Sequence, residues 1–293
     1  MATLRDLRRR VNSVKNTQKI TKAMELVAAA KMRRAQSAME ASRPYADAIR
    51  EVLARLAQGK LETTHPFLVQ REVKARLLLL VTADRGLAGG LNANAIRAAN
   101  RFVRGGPPTR LVTIGRKGRD FFRRFDLELV ADRSMLPDRP HLDEIRPPVT
   151  VAMEEYLEGK VDEVWLVYTR YVNPVSQVPV TMRLIPPDLG SESDKPEKPK
   201  GPQSLYEFEP SPEAVLDALL PRYVEAQVYR AVLENQASFY AAQMTAMRSA
   251  SDNAGDLIQD LTLVMNKLRQ AQITKELMEI VGGAEALAAA RGK

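Results

Sequence analysis

A glycine-rich stretch that directly follows an apolar run is the first place where this sequence has residues suited to chemistry. The run RLLLLVT covers 76–82, and the stretch RGLAGGLN covers 85–92. Such a loop binds nucleotide phosphates when its glycines stand at the first, third and sixth positions, or when Gly-Lys-Ser/Thr ends it. Here Ala88 occupies the third position counted from Gly86, and no Gly-Lys-Ser/Thr follows. The pattern therefore favours a tight strand-to-helix turn and argues against a Rossmann-type oxidoreductase.

Other residue types for catalysis and metal binding are scarce. The sequence has no cysteine, which excludes disulfides, thiolate zinc sites and cysteine nucleophiles. Its two histidines, His65 and His141, are expected to be ordinary surface or loop residues. The sequence contains no Ser/His/Asp arrangement, no metal-ligand spacing and no carboxylate pair at motif spacing. It therefore predicts no catalytic residue, no cofactor site and no metal site.

The positive charge of the chain is concentrated at its N-terminal end. The formal net charge is +8, and residues 1–60 alone carry fourteen Lys/Arg and five Asp/Glu, a net of +9. A basic segment raises nucleic acid or another anionic surface as a partner. A basic coiled-coil nucleic-acid-binding protein is therefore an alternative, although aromatic residues make up only 5% of the chain and no zinc motif appears. No apolar run is long enough for a membrane span, and no signal or transit segment is expected before the first helix.

The C-terminal part of the chain has the periodicity of a coiled coil. Its apolar and small residues recur in alternating steps of four and three, which is typical of a helix that supercoils against a partner. They are Leu233, Ala237, Tyr240, Met244, Met247, Ser251, Ala254, Ile258, Leu261, Met265 and Leu268. The stripe shifts by one residue across 269–272 and resumes at Ile273, Leu277, Ile280, Ala284 and Leu287. We expect a long helix over about 222–290, preceded by a short helix from Pro212, with Pro221 as a kink or as the start of the long helix.

The N-terminal 58 residues predict a second long helix. Thr3 is a candidate N-cap. The apolar residues expected to form one face are Leu4, Leu7, Val11, Val14, Ile20, Met24, Val27 and Ala28, although the stretch 16–25 is polar on most sides. At 1.5 Å per residue this helix is about 20 Å shorter than the C-terminal one, so an antiparallel pair leaves roughly the last dozen residues of the longer helix unpaired. Since Leu277, Ile280 and Val281 lie there, another protein is expected to cover this tip.

Between the two helices, residues 74–208 predict an α/β domain. Strand and helix patterns alternate, which favours a mostly parallel, Rossmann-like sheet. The expected strands are 76–82, 110–115, 127–131, 164–170 and 177–185. Three helices are expected: one ends at 103, and the other two cover 119–124 and 149–157. The last two strands are expected to form an antiparallel hairpin across 173–174. Residues 186–204 are polar and rich in proline, which indicates an exposed loop. The sequence thus predicts three parts: an N-terminal helix over 1–58, the α/β domain over 74–208 and a C-terminal helical part over 211–290.

Three motifs near the chain ends are similar to those of a known family. NTQKITKAMELVAA at 16–29, SDNA at 251–254 and NKLRQAQITKEL at 266–277 resemble the γ subunit of F-type ATP synthases, and the 84–92 loop agrees. The resemblance extends over essentially the whole chain. Position 88, which is often cysteine in that family, is alanine here.

The resemblance implies a central rotary shaft without catalytic activity of its own. Its two terminal helices would form a long antiparallel coiled coil inside a ring of α and β subunits. Its α/β domain would bind the ε subunit and the membrane c-ring. A peripheral position in the complex, on the cytoplasmic face of a bacterial plasma membrane, is implied as well. Ion-driven rotation would then change nucleotide affinity in the catalytic ring, with no nucleic acid involved.

Nine residues are expected to contact the α/β ring. By match to the family motifs, Lys22, Met24 and Glu25 would lie near an acidic loop of β. Arg269, Gln270 and Thr274 would form a hydrogen-bonding catch near the tip, and their position at the shift of the apolar stripe supports this. The remaining three are the tip residues Leu277, Ile280 and Val281.

Overall fold

The computed structural model describes residues 3–58, 65–125, 127–188, 209 and 211–291. The chain divides into two compact units, one formed by Met1–Val27 with Ala246–Lys293 and the other by Ala28–Thr245. Two long helices, α1 (Leu4–Gln58) and α5 (Pro212–Arg291), each contribute to both units. Most of the predicted 186–204 loop, from 189 onward, lies outside the described residues.

The second unit is built on a five-stranded sheet. Its strands are β1 (Arg76–Val81), β2 (Thr109–Ile114), β3 (Leu129–Arg133), β4 (Glu163–Tyr171) and β5 (Gln177–Ile185). Their spatial order is β3-β2-β1-β4-β5. All neighbouring pairs are parallel except β4 and β5, which form the predicted antiparallel hairpin. The α/β class with a mostly parallel sheet is therefore confirmed.

Helices cover both faces of this sheet, which explains the unbroken apolar run of β1. Leu77, Leu79 and Val81 pack in one cluster with residues of α4 (Leu142–Leu157) and of both long helices. Leu78 and Leu80 pack on the other face, with residues of α2 (Leu91–Arg104) and α3 (Arg116–Phe122). All six residues of β1 are buried, as expected for a central parallel strand.

Two helices begin earlier than the sequence predicts. Helix α4 starts at Leu142 rather than 149 and carries Pro147 and Pro148 inside it. Its first turn is capped, because the Glu144 carboxylate accepts a hydrogen bond from the His141 backbone N–H at 2.8 Å.

Helix α5 starts at Pro212 and runs unbroken through Pro221, so the predicted short helix and long helix are one element. Pro212 stands at the first helical position, where proline is favoured, and Ser211 Oγ accepts from the Ala214 backbone N–H at 3.2 Å. The bounds of two other elements differ from the predicted ones by a few residues, since α3 was predicted at 119–124 and β3 at 127–131. The pairing of β2 with β3 has a register irregularity between Leu111 and Val112.

The buried face of α1 differs from the predicted one in its middle. Leu7 and Val11 are buried as expected, and Ala28 is buried as well. Ile20 and Val27, however, are 60% and 56% exposed, so the predicted apolar face is not the buried face along this stretch. Steps of three and four from Leu7 and Val11 lead to polar residues instead, since Gln18 is half-buried and Thr21 and Glu25 are buried. The less exposed residues of α1 thus continue the heptad spacing through this stretch, although the residues at these positions are polar.

Candidate functional site

The carboxyl edge of the sheet is where open α/β domains usually bind ligands, and here it is filled by side chains. Ala83, Ala88 and Leu91, which flank the glycine-rich loop, form one buried cluster with residues of both long helices. The helix residues are Met32 and Ala35 from α1 and Ala237, Phe239, Tyr240 and Ala241 from α5. The edge is packed as a core, which argues against a nucleotide ligand there.

The glycine-rich loop itself is a turn held together by one side chain. Asn92 Oδ1 accepts from the Ala83 N–H at 3.0 Å, and Asn92 Nδ2 donates to the Arg85 carbonyl at 3.1 Å. Leu87 and Gly89 have φ of 63° and 53°, the left-handed region that a tight turn uses. The structure thus agrees with the interpretation of this loop as a strand-to-helix turn.

The two histidines have structural contacts. His65 Nδ1 accepts from the Phe67 N–H at 3.0 Å and so caps a 3-10 turn (Pro66–Leu68), and Nε2 lies 3.2 Å from Asp217 Oδ1. Within the described ranges, no three His, Asp or Glu side chains gather as metal ligands would. No helix in the described part of the chain combines the length and hydropathy that crossing a bilayer requires.

In the first unit, α1 and α5 pair in antiparallel order through polar contacts. Gln18 Nε2 donates to the Ser251 carbonyl at 3.3 Å, and Arg248 Nε donates to Glu25 Oε1 at 3.0 Å. Lys22 Nζ donates to the other Glu25 oxygen, also at 3.0 Å. These two hydrogen bonds, first that from Lys22 and then that from Arg248, hold the pKa of Glu25 below its usual range. An ionised carboxylate therefore sits in the helix seam.

The predicted seam of α5 is confirmed over most of its length. Leu233, Ala237, Tyr240, Met247, Ser251 and Ala254 are buried, and Met244, Ile258, Leu261 and Met265 are half-buried. Leu268, the last position of the seam, is exposed. Every residue from 266 to 284 is exposed, so over this stretch the helix has no partner among the described residues of the first unit.

We call residues 266–284 of α5 the bare tip. It presents five large apolar side chains that are between 49% and 69% exposed: Ile273, Leu277, Met278, Ile280 and Val281. Arg269, Gln270 and Thr274 are exposed on the same stretch. The side chain of Leu287, the last predicted seam residue, lies outside what the structure describes. Six of the nine predicted contact residues therefore lie on the bare tip.

The other three predicted contact residues differ in exposure. The side chain of Lys22 is 60% exposed, Met24 is half-buried, and Glu25 is only 5% exposed because it is held by Lys22 and Arg248. The direct contact predicted for Glu25 stays a prediction, and its observed partners lie within the chain.

Sequence reasoning named part of an apolar stripe on α1 and missed that this stripe is exposed. Ile20 and Val27 are two turns apart on one face, with Met24 between them, and Leu26 beside them is 64% exposed. These residues are off the heptad frame set by Leu7 and Val11. That mismatch is the signal by which they could have been found.

The chain is similar to known proteins over nearly its whole length. A family model described as ATP synthase matches residues 3–287. The ATP synthase gamma chain of Heliobacterium modesticaldum is 50% identical over 289 residues, which cover 98% of this chain and 100% of the relative. That of Moorella thermoacetica is 49% identical over 288 residues, with the same coverage. The chain belongs to the ATP synthase gamma-chain family.

Solved structures agree on the fold of this gamma-chain family member. The central stalk and c-ring structure of the Tetrahymena thermophila mitochondrial ATP synthase matches with a TM-score of 0.59 at 25% identity, covering 79% of this chain and 99% of that one. The rotor of the Euglena gracilis mitochondrial ATP synthase matches with a TM-score of 0.67 at 21% identity, covering 92% and 98%. These relatives give no support to the nucleic-acid-binding alternative.

Proposed function

We propose that this gamma chain is the central rotary shaft of an F-type ATP synthase. In this function it couples ion-driven rotation of the c-ring to conformational change, and hence to ATP synthesis or hydrolysis, in the ring of α and β subunits. The observation that carries the proposal is the bare tip, a single helix with a row of exposed apolar side chains. A shaft that turns inside a ring of other subunits requires an exposed apolar surface for those subunits to contact.

The energetics of the bare tip favour an enclosing partner. Full burial of a Leu, Ile, Met or Val side chain contributes about 1.5–3 kcal/mol, and five such side chains share this segment. Soluble chains rarely leave a contiguous apolar surface of this kind in water. The α and β subunits, which would enclose the tip, are therefore the partners that its surface fits best.

The polar residues of the bare tip would provide directional contacts. Arg269 and Gln270 offer several N–H donors, and Thr274 one turn further offers a hydroxyl. All three are exposed, so they are available to a subunit that encloses the helix. In a rotating shaft these groups would form a hydrogen-bonding catch that is made in one rotary state and broken in the next.

On α1, the exposed Lys22 would face an acidic loop of a β subunit, with Met24 and the apolar stripe beside it. The structure gives Glu25 an indirect part in this contact, since its carboxylate binds Lys22 Nζ at 3.0 Å and so positions the ammonium group. A contact between exposed charges is worth less than about 1 kcal/mol, which suits an interaction that must be released at every step.

The mechanism requires no bond chemistry by the chain itself. One asymmetric shaft touches three β subunits differently and stabilises a different nucleotide affinity in each. The coupling equals the difference in contact energy between those states, and about 1–3 kcal/mol per state suffices. The chain would act as a non-catalytic subunit of an enzyme complex.

As a member of this family, the chain would bind the ε subunit and the c-ring through its α/β domain. The carboxyl edge of the sheet in this domain is packed with side chains of both long helices. The complex would lie on the cytoplasmic face of a bacterial plasma membrane, with this chain as a peripheral component. The bacterial gamma chains among its relatives support this location.

Reconstitution tests the proposed function. We expect the chain, mixed with purified α and β subunits, to co-elute at one copy per ring and to accelerate ATP hydrolysis. Leu277→Asp with Ile280→Asp places two charges on the bare tip and should abolish co-elution. Leu157→Asp, a matched change at an exposed leucine of α4, should leave co-elution intact. Separate elution of the unmodified chain would contradict the shaft function.

A further inference from the structure

The segment between β3 and α4 makes polar contacts with both long helices at once. We call residues 134–146, which end in the first turns of α4, the strap. All of its partners discussed below lie in the second unit. These contacts have no part in binding the α and β subunits as proposed above.

Along α5, the strap is held by a row of side chains. Tyr229 Oη donates to the Pro140 carbonyl at 3.2 Å, and Gln236 Nε2 donates to the Pro137 carbonyl at 3.1 Å. Tyr240 Oη donates to Asp138 Oδ1 at 2.6 Å. The donors follow one another along about three turns of the helix, so the strap is fixed to a length of α5 and not to a single point.

One strap residue reaches the other helix as well. Asp138 Oδ2 lies 2.6 Å from Lys31 Nζ of α1, while Oδ1 accepts from Tyr240 of α5. A single carboxylate thus bridges α1 and α5. The ion pair with Lys31 and the hydrogen bond from Tyr240 both hold the pKa of Asp138 below its usual range, and the ionised bridge is the stable form.

The strap is also tied to the sheet. Asp84, directly after β1, accepts from the Leu136 backbone N–H at 3.2 Å with Oδ2 and from the Arg116 backbone N–H at 2.9 Å with Oδ1. At the other end, Arg146 Nε lies 3.1 Å from Glu225 Oε1 of α5. The contacts therefore run from the sheet through the strap to both long helices.

The polar contacts of the strap depend on orientation, which the hydrophobic effect does not. The clusters that hold the helices on the sheet are apolar, and the hydrophobic effect itself has no direction. Hydrogen bonds to charged groups depend on distance and angle, and a displaced bond is lost. The strap is thus placed to fix the rotational position of the helix pair against the sheet.

We propose that the strap, through the Lys31–Asp138–Tyr240 bridge, is the torsional lock that keeps the helix pair turning in step with the α/β domain. The proposal rests on the shaft function argued above and assigns positioning roles to Asp138, Lys31 and Tyr240. Loss of the lock would let the α/β domain turn without an equal turn of the helices.

The test uses the assembled enzyme in inverted membrane vesicles from a host whose own gamma chain is deleted. Two rates are measured on the same vesicles: ATP hydrolysis and ATP-driven proton uptake. For Asp138→Asn with Tyr240→Phe we expect the ratio of proton uptake to hydrolysis to fall at least about tenfold, the factor that corresponds to one lost hydrogen bond to a charged group. Asp120→Asn is the control, because Asp120 is an exposed carboxylate paired with Arg119 on its own helix.

A crosslink separates the lock from a general loss of structure. Since the chain has no cysteine, Asp138→Cys with Tyr240→Cys places exactly two thiols in it. We expect a low ratio in the reduced enzyme and its recovery after reaction with a flexible bis-maleimide that joins the two thiols. A merely misfolded variant would not recover.

Each outcome decides between the two proposals. A wild-type ratio in Asp138→Asn/Tyr240→Phe, with assembly and hydrolysis intact, overturns the lock and leaves the shaft function standing. Failure of crosslinking to restore a lowered ratio also overturns the lock. Absence of the unmodified chain from the assembled enzyme overturns the shaft function itself.

Discussion

Helix α5 is one continuous helix in two contrasting environments. No residue from 223 to 244, in the second unit, is exposed, whereas every residue from 266 to 284, in the first unit, is exposed. The first stretch is surrounded by the sheet, α1 and the strap. The second has no partner among the residues that the structure describes, yet it carries apolar residues at similar spacing. Apolar periodicity therefore shows that a helix face will be covered, and it does not show whether the cover comes from the same chain.

Helix α1 shows a matching contrast. In the second unit its seam is apolar, with Met32, Ala35 and Met39 buried, whereas in the first unit the seam passes from the apolar Leu7 and Val11 to the polar Gln18, Thr21 and Glu25. The polar part of the seam is held by a few directional bonds. The pair in the first unit is thus expected to be the less stable of the two, as is usual for parts of a protein that move.

The largest effect expected from this contrast concerns stability. Leu79→Ala, at a fully buried site of β1, should lower the free energy of unfolding by about 3–5 kcal/mol because it leaves a cavity in the core. Leu263→Ala, at an exposed site of α5 in the first unit, should change it by less than about 0.5 kcal/mol. Urea unfolding of the isolated chain, followed by circular dichroism, measures both. Equal losses would show that the first unit is packed as tightly as the sheet.

A smaller effect is expected at the polar end of the bare tip, on turnover alone. Arg269→Ala with Gln270→Ala removes donors that have no role in holding the chain together, so stability and assembly should stay near wild type. Coupled ATP turnover should fall about tenfold, as expected for the loss of one or two hydrogen bonds to charged groups. Multisite ATPase assay of the reconstituted complex checks this, with gel filtration as the control for assembly. Wild-type turnover would remove these residues from the proposed catch.

The smallest effect is a pH dependence confined to the polar seam. The pKa of Glu25 is lowered in the folded chain, so its contribution to stability is present above the unfolded value of 4.5 and is lost as the pH falls through the lower folded value. Hydrogen exchange of amides 18–27 should therefore accelerate as the pH drops below about 4.5, beyond the intrinsic pH trend of exchange. Glu25→Gln should exchange faster at neutral pH and lose this extra dependence. An unchanged profile in Glu25→Gln would show that the carboxylate does not stabilise the seam.

The parts of the fold that were predictable are those whose residues repeat a period or are bounded by turn formers. The strand β5 was predicted with the bounds that the structure has, and the seam of α5 was predicted correctly from Leu233 to Met265. Both rest on many consecutive residues that agree, so that no single position decides the result.

The errors arose where one residue type was given too much weight. Helix α4 was predicted to start at 149, and α5 was predicted as a short and a long helix around Pro221, although Pro147, Pro148 and Pro221 all lie inside helices whose packing and caps outweigh the local cost. In α1, Ile20 and Val27 were assigned to the same apolar face as Leu7 and Val11, whereas the heptad frame places Thr21 and Glu25 in the seam. The strap was not predictable, because its contacts join residues about a hundred positions apart in sequence.

The pairing of the two chain ends has a consequence for synthesis. A ribosome adding about 5–20 residues per second needs about 10 to 40 s to pass from residue 27 to residue 246, where the partner of the first helix begins. During that interval the new helix has emerged without anything to pack against. Its net charge of +9 over residues 1–60 opposes association with other nascent chains and keeps it in solution until its partner is made.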